Sequence, residues 1–60
     1  MTKLEYYRRM AGMSQEELAE KSGVSRPVIV KIENRGTDGV RSKTLLLLAD
    51  ALNISVKELF

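Results

Sequence analysis

A chain of 60 residues with ten basic and eight acidic side chains has a formal net charge of only +2. A domain of this size buries about 60% of its unfolded surface, so we expect a single domain, residues 1–60, without an enclosed active site. The small net charge does not by itself indicate a nucleic-acid partner, because the distribution of the charges decides that question.

Missing residue types exclude several function classes. The chain contains no cysteine and no histidine, which removes disulfides, thiolate nucleophiles, imidazole bases and the usual zinc ligands. We therefore predict a protein that is not an enzyme and that uses no metal, cofactor or small-molecule effector. No apolar run approaches the roughly 20 residues of a membrane span, and the first residues lack the apolar stretch of a signal peptide, so we expect an unprocessed, soluble, cytoplasmic protein.

The first helix is predicted from a capping pattern and an amphipathic face. Thr2 precedes Glu5 by three positions, which is the spacing of a capping box. Met1 and Tyr6 have the spacing of the two apolar residues that contact each other in a hydrophobic staple. The helix should end near Gly12. Its shared face consists of Leu4, Tyr7, Arg8 and Ala11.

Two short helices joined by a tight turn are predicted next. Ser14 and Glu17 have capping-box spacing, and Gly23 stands where the chain must reverse through a left-handed conformation. Ser25 is the expected N-cap of helix three, and Pro27 in its first turn suits helix entry. The predicted inward residues are Leu18, Ala19, Val24, Ile29 and Ile32. At 100° per residue, the predicted outward residues of helix three are Pro27, Lys31 and Asn34.

The remaining sequence predicts a loop and two more helices. Residues 35–40 are polar and contain two glycines, which indicates a loop. Helix four should cover residues 42–52, with Asn53 closing it, and a fifth helix should follow Ser55, which has capping-box spacing to Glu58. That last helix is short and should hold by docking Leu59 and Phe60. The buried stripe of helix four should consist of Leu45, Leu48, Ala49 and Leu52. The predicted fold class is all-α, a compact five-helix bundle.

Two segments carry a resemblance to a known family. Residues 12–34, GMSQEELAEKSGVSRPVIVKIEN, are similar to the helix-turn-helix of the phage repressor and Cro family, also called the XRE family. Residues 44–60, TLLLLADALNISVKELF, resemble that family's fourth helix, turn and fifth helix. The resemblance implies a lambda repressor-like fold and a repressor-like transcriptional regulator that binds double-stranded DNA sequence-specifically. A homodimer on an inverted repeat is expected.

Helix three is expected to enter the major groove and to read bases. Arg26 in its first turn can present a planar guanidinium to guanine O6 and N7. Lys31, one turn further along the exposed face, can reach a guanine or a phosphate, and the resemblance places it at a base-contact position. Pro27 and Val28 offer no side-chain donor to a base edge but can pack on a thymine methyl group.

A second set of residues is expected to contact DNA phosphates. The resemblance assigns Gln15, at the start of helix two, and Asn34, at the end of helix three, to this role. Ser14 can add its backbone N–H or its hydroxyl. Arg35 and Arg41 flank the loop after helix three and can extend the contact to the DNA backbone.

Alternatives remain open for several side chains. The resemblance implies an inward ion pair between Arg8 and Glu33, whereas the alternative is two solvated surface charges. Polar residues of the expected interface can also be a solvated helix face, which is the interpretation we favour for Lys43. Four successive leucines, residues 45–48, cannot all face one core, so Leu46 and Leu47 are either covered by the last helix or the N-terminal segment, or form a dimer contact. Exposed leucines also fit the competing function, a protein-interaction module of the antitoxin or partner-binding kind.

Overall fold

Four α-helices and one 3₁₀ helix make up the fold in the computed structural model, which describes residues 2–60. The α-helices are α1 (Lys3–Met10), α2 (Gln15–Ser22), α3 (Arg26–Arg35) and α4 (Ser42–Ala51), and the 3₁₀ helix is Val56–Leu59. Residues 2–60 contain no strand. The all-α prediction is confirmed, but the prediction of five α-helices is wrong because the last element is a single 3₁₀ turn.

The helices pack around one cluster of apolar side chains. α2 contacts both α3 and α4, α1 contacts α3, and the 3₁₀ helix lies against α4 and α1. The predicted buried stripes of α3 and α4 are confirmed. The buried apolar residues are Leu4, Leu18, Val24, Ile29, Ile32, Leu45, Leu48, Ala49, Ala51, Leu52 and Leu59.

The turn between α2 and α3 is fixed by a left-handed glycine. Gly23 has φ 78° and ψ 6° and donates its N–H to the carbonyl of Ala19 at 2.9 Å, which ends α2. A side chain at this φ would be strained, so glycine suits the position. Only residues 23–25 separate α2 from α3. The predicted tight turn is thus confirmed.

The start of α1 matches only half of its predicted capping pattern. Thr2 Oγ1 accepts the backbone N–H of Glu5 at 3.3 Å, but the Glu5 carboxylate pairs with Arg9 at 2.8 Å, one turn along the helix. The predicted staple involves Met1, which lies outside the described residues. Ala11 is exposed rather than part of the inward face, because α1 ends at Met10 and Ala11 is already its C-cap.

Two predicted serine caps do not form side-chain hydrogen bonds in the described structure. Ser25 occupies the N-cap position of α3 with an extended backbone, but Pro27, at the second helical position, has no N–H to donate to it. Ser55 precedes the 3₁₀ helix. The Glu58 carboxylate accepts a hydrogen bond from the Tyr7 hydroxyl at 2.6 Å, so it points towards α1 and does not complete a capping box with Ser55.

The ends of α3 and α4 correct two further boundaries. Arg35 is the last residue of α3, and the loop begins at Gly36, whose φ of 85° and ψ of −164° suit only glycine. α4 ends at Ala51, and Asn53 adopts a left-handed φ of 57°, as its predicted role in closing the helix requires. Phe60 is 60% exposed, so its predicted docking is wrong. Leu59 takes the core position, and the next side chain of a 3₁₀ turn points about 120° away.

Candidate nucleic-acid interface

The start of α2 is held by a complete capping box. Glu17 donates its backbone N–H to Ser14 Oγ at 3.0 Å, and Ser14 donates its backbone N–H to Glu17 Oε1 at 2.8 Å. Hydrogen bonds from the Ser14 backbone N–H and hydroxyl lower the pKa of the Glu17 carboxyl. The Ser14 N–H, one of two groups suggested for a phosphate contact, is therefore occupied by Glu17.

The exposed side chains of α3 include three basic residues. Arg26, Lys31 and Arg35 are exposed on this ten-residue helix. The first turn of α3 carries no acidic residue, and the one acidic side chain of the helix, Glu33, is buried. α3 therefore exposes three basic side chains and no acidic one, in a chain whose total charge is only +2, and such a local excess of positive charge is expected of an electrostatic contact to phosphates.

Small and uncharged side chains lie among these basic groups. Pro27, Val28 and Asn34 are exposed, as is Ser25 at the N-cap. Behind them, Ile29 and Ile32 are almost completely buried and fix the rotation of α3 about its axis. The outward face is thus rigidly presented, since turning the helix would expose both isoleucines.

A buried ion pair joins α1 to α3. Arg8 Nε donates to Glu33 Oε2 at 2.6 Å, and Arg8 Nη2 donates to Glu33 Oε1 at 3.1 Å. The two side chains are only 10% and 4% exposed. Arg8 Nη1 also donates to the Met13 carbonyl at 2.8 Å, so one guanidinium holds the α1–α2 loop as well as α3. Two parallel bonds to one carboxylate give this contact its fixed geometry.

Gln15, which is partly buried, joins the Arg8–Glu33 pair through a hydrogen bond. Its Nε2 donates to Glu33 Oε1 at 3.0 Å, which connects the first residue of α2 to α3. Burial raises the pKa of the Glu33 carboxyl. Hydrogen bonds from Arg8 and Gln15, together with the positive charge of Arg8, lower that pKa by more than burial raises it, so the pKa lies below its ordinary value. Glu33 is therefore an ionised hydrogen-bond acceptor at neutral pH.

Sequence reasoning did not anticipate the Gln15–Glu33 hydrogen bond. The two residues are 18 positions apart, and neither capping patterns nor helical periodicity relates side chains at that separation. The one available signal was that Gln15 begins α2 while Glu33 was expected to face inward. Together, these features suggest a polar contact across the helix-turn-helix.

The remaining candidate residues lie at and beyond the α3–α4 loop. Arg41 is exposed at the N-cap of α4. Leu46 is 54% exposed and Leu47 is 39% exposed, so residues 2–60 do not cover them. The four leucines thus divide into two buried members, Leu45 and Leu48, and two exposed ones.

Residues 2–60 lack the features of two further classes of site, a metal centre and a membrane-spanning helix. No group of acidic side chains in that range is arranged to hold a metal ion. None of the helices described there has the length and apolar composition needed to cross a bilayer.

Comparison with known proteins identifies the family. The family described as "Helix-turn-helix" matches residues 4–59. The chain is 45% identical over 53 residues to Control protein C.SmaI of Serratia marcescens, an alignment that covers 88% of this chain but only 62% of that protein. It is 36% identical over 58 residues to an uncharacterized HTH-type transcriptional regulator of Methanocaldococcus jannaschii, with 97% of this chain and 86% of that protein covered. No solved structure matches the chain. With almost its whole length matched, the chain belongs to the XRE-type helix-turn-helix family, a family of DNA-binding transcriptional regulators.

Proposed function

We propose that this chain is a transcriptional regulator that binds duplex DNA sequence-specifically, with α3 in the major groove. The observation that carries the proposal is the set of three exposed basic side chains on α3. The helix is fixed against α2 by the left-handed turn at Gly23 and by the buried isoleucines. Two relatives named as a control protein and as a transcriptional regulator support it. A helix presented in this way is the reading element of helix-turn-helix proteins.

Base reading is assigned to the first turns of α3. Arg26 is the first helical residue and its side chain is exposed, so its guanidinium can approach guanine O6 and N7 as a planar fork. Lys31 lies further along the outward face and reaches a second base. Pro27 and Val28 between them present apolar surface to a thymine methyl group.

Phosphate binding is assigned to residues around that face. The Ser14 hydroxyl hydrogen can rotate from the Glu17 carboxylate to a phosphate oxygen, whereas the Ser14 N–H stays bonded to Glu17. Gln15 and Asn34 supply neutral amide donors, while Arg35 and Arg41 supply charge. These contacts fix the position of α3 on the duplex and carry no sequence information themselves.

Salt dependence of binding tests the proposal directly. Fluorescence anisotropy can measure the affinity of the chain for labelled random duplexes and for duplexes selected from a randomised library. Over a range of salt concentrations, log affinity should fall linearly with log salt. Each neutralised phosphate should contribute about 0.9 to that slope. Replacing both Arg35 and Arg41 with alanine should lower the slope by about 1.8. Negligible DNA binding by the folded chain at low salt would overturn the proposal.

A two-fold dimer is part of the proposed function. Leu46 and Leu47 are adjacent, exposed and apolar at the middle of α4, and a second copy of the chain would cover them. Two copies related by two-fold symmetry would read an inverted repeat whose half-sites lie about one helical turn apart.

Leu47→Lys is expected to weaken dimerisation, because it places a charge in an interface that excludes water. Sedimentation equilibrium should show a lower average mass, and the affinity for an inverted repeat should fall while the affinity for a single half-site is kept. Met10→Lys is the matched control, since Met10 is also an exposed apolar side chain but lies on α1. Unchanged mass and unchanged DNA affinity for Leu47→Lys would remove this leucine from the interface.

The exposed leucines also support a second candidate function. A protein-interaction module would use the same apolar surface on α4 to bind a different protein. The two functions differ in the salt experiment, because such a module would bind DNA negligibly at any salt concentration.

A further inference from the structure

The Glu33 carboxylate accepts hydrogen bonds from two side chains, the buried Arg8 and the partly buried Gln15. On one side, Arg8 forms two hydrogen bonds with it. On the other side, Gln15 Nε2 donates to Oε1 at 3.0 Å. Glu33 and Arg8 are buried, whereas Gln15 is only partly buried at the start of α2. The side chain of Gln15 therefore extends from the buried pair towards the surface beside α3.

An ionised carboxylate dictates which end of the Gln15 amide faces it. A carboxylate accepts hydrogen bonds and donates none, so the amide nitrogen rather than the amide oxygen must turn towards Glu33. The two hydrogens of a planar amide point in directions about 120° apart. One hydrogen is used by Glu33, and the second is directed away from it. A free glutamine in solution would have no such preference.

We infer that Glu33 is a positioning residue for DNA binding, which holds the Gln15 amide with its second N–H directed at a DNA phosphate. The inference rests on the proposed DNA-binding function and assigns a role to a residue that does not itself touch DNA. Arg8 is necessary to this arrangement, because its charge offsets that of Glu33, which would otherwise repel a nearby phosphate.

Gln15→Ala should weaken binding to every duplex by a similar factor, about tenfold, because a hydrogen bond to a charged group is lost. The salt slope should stay the same, since a neutral amide releases no counterion. Arg35→Ala should instead lower the slope. An unchanged slope for Gln15→Ala and a lower slope for Arg35→Ala would distinguish a neutral hydrogen-bond donor from a charged phosphate contact.

A double-mutant cycle tests whether Glu33 does the positioning. Gln15→Ala is made in the native chain and in the Arg8→Met/Glu33→Met variant, which removes the pair without leaving a buried charge. Thermal unfolding first verifies that each variant is folded at the assay temperature. We expect the tenfold loss from Gln15→Ala to shrink to less than about twofold without Glu33, because the amide is no longer held. Arg26→Ala is the control substitution, and its effect should be similar in both backgrounds.

The outcomes separate this inference from the proposed function. An equal loss from Gln15→Ala in both backgrounds would overturn the positioning role, and no loss in the native chain would overturn the phosphate contact on which it depends. Both results leave DNA binding itself standing. Failure of the unmodified chain to bind DNA would overturn the proposed function and this inference together.

Nuclear magnetic resonance of the unmodified chain gives an independent test that needs no folded variant. The side-chain NH₂ group of Gln15 should give two distinct proton signals in the free protein, with one shifted by the Glu33 carboxylate. On titration with duplex DNA, the other signal should shift. The inference is wrong if both signals stay unchanged while the backbone signals of α3 respond to DNA.

Discussion

Replacing Arg8 with methionine while Glu33 is kept is expected to lower the free energy of unfolding by about 3–5 kcal/mol. The substitution leaves a carboxylate whose side chain is only 4% exposed without its charged partner. It also removes the hydrogen bond from Arg8 to the Met13 carbonyl, so the α1–α2 loop is released. Small domains are stabilised by only about 5 kcal/mol or little more, so much of the chain should be unfolded at 37 °C.

Urea unfolding followed by circular dichroism measures this effect, and the chain provides its own control. Arg9 pairs with Glu5 at 2.8 Å, but the Arg9 side chain is 61% exposed. Arg9→Met should therefore cost less than about 1 kcal/mol. The Arg8→Met/Glu33→Met variant should recover most of the lost stability, because no buried charge remains unpaired. If Arg8→Met were no more destabilising than Arg9→Met, the buried pair would not contribute as described.

Arg26→Ala is expected to have the largest effect on sequence recognition. Loss of a bidentate contact to guanine should cost about 1–3 kcal/mol on the best site and should relax the preference at one base pair. The stability of the fold should change little, since the Arg26 side chain is exposed.

Affinities of Arg26→Ala for the best site, for single-base variants of that site and for random DNA measure this prediction. Arg35→Ala is the comparison, because a phosphate contact should be lost about equally on all sequences, with the salt slope lower by about 0.9. An equal loss on cognate and random DNA after Arg26→Ala would instead assign Arg26 to the phosphate contacts.

Local rules predicted the central part of the fold well. Ser14 with Glu17 forms a reciprocal capping box, Gly23 adopts the left-handed conformation, and the side chains of Ile29 and Ile32 are buried. Each of these follows from interactions within one or two helical turns, where sequence spacing determines which groups meet. The same rules placed Pro27, Lys31 and Asn34 on the outward face.

Predictions that depended on distant partners were less successful. Ser55 and Glu58 have the spacing of a capping box, but Tyr7, 51 positions from Glu58, takes the carboxylate instead. Leu59 and Phe60 were both expected to dock, yet only Leu59 is buried and Phe60 is exposed. Gln15 was predicted only as a contact to a DNA phosphate, and its hydrogen bond to Glu33 was not foreseen. Tertiary contacts compete with local patterns, and spacing within the sequence does not reveal the competitor.

The candidate interface likewise combines features that local patterns predict with contacts between residues distant in the sequence. The exposed positions on α3 follow from helical periodicity once its buried stripe is known. The fixed orientation of the interface follows from Arg8, Glu33 and Gln15, which come from three different helices. Arg8 and Glu33 are 25 positions apart, and no local rule relates residues at that separation. The prediction that they pair therefore came from the family resemblance and not from sequence spacing.

Selection of bound duplexes from a randomised library by the purified chain, near physiological salt, tests the central claim most directly. Sequencing of the enriched pool should reveal an inverted repeat with half-sites about one helical turn apart, as expected of a two-fold dimer that reads DNA through α3. Arg26→Ala should lose the preference at one position of each half-site. No enrichment, together with negligible binding by the folded chain, would contradict sequence-specific DNA recognition and favour the protein-interaction function of the exposed leucines on α4.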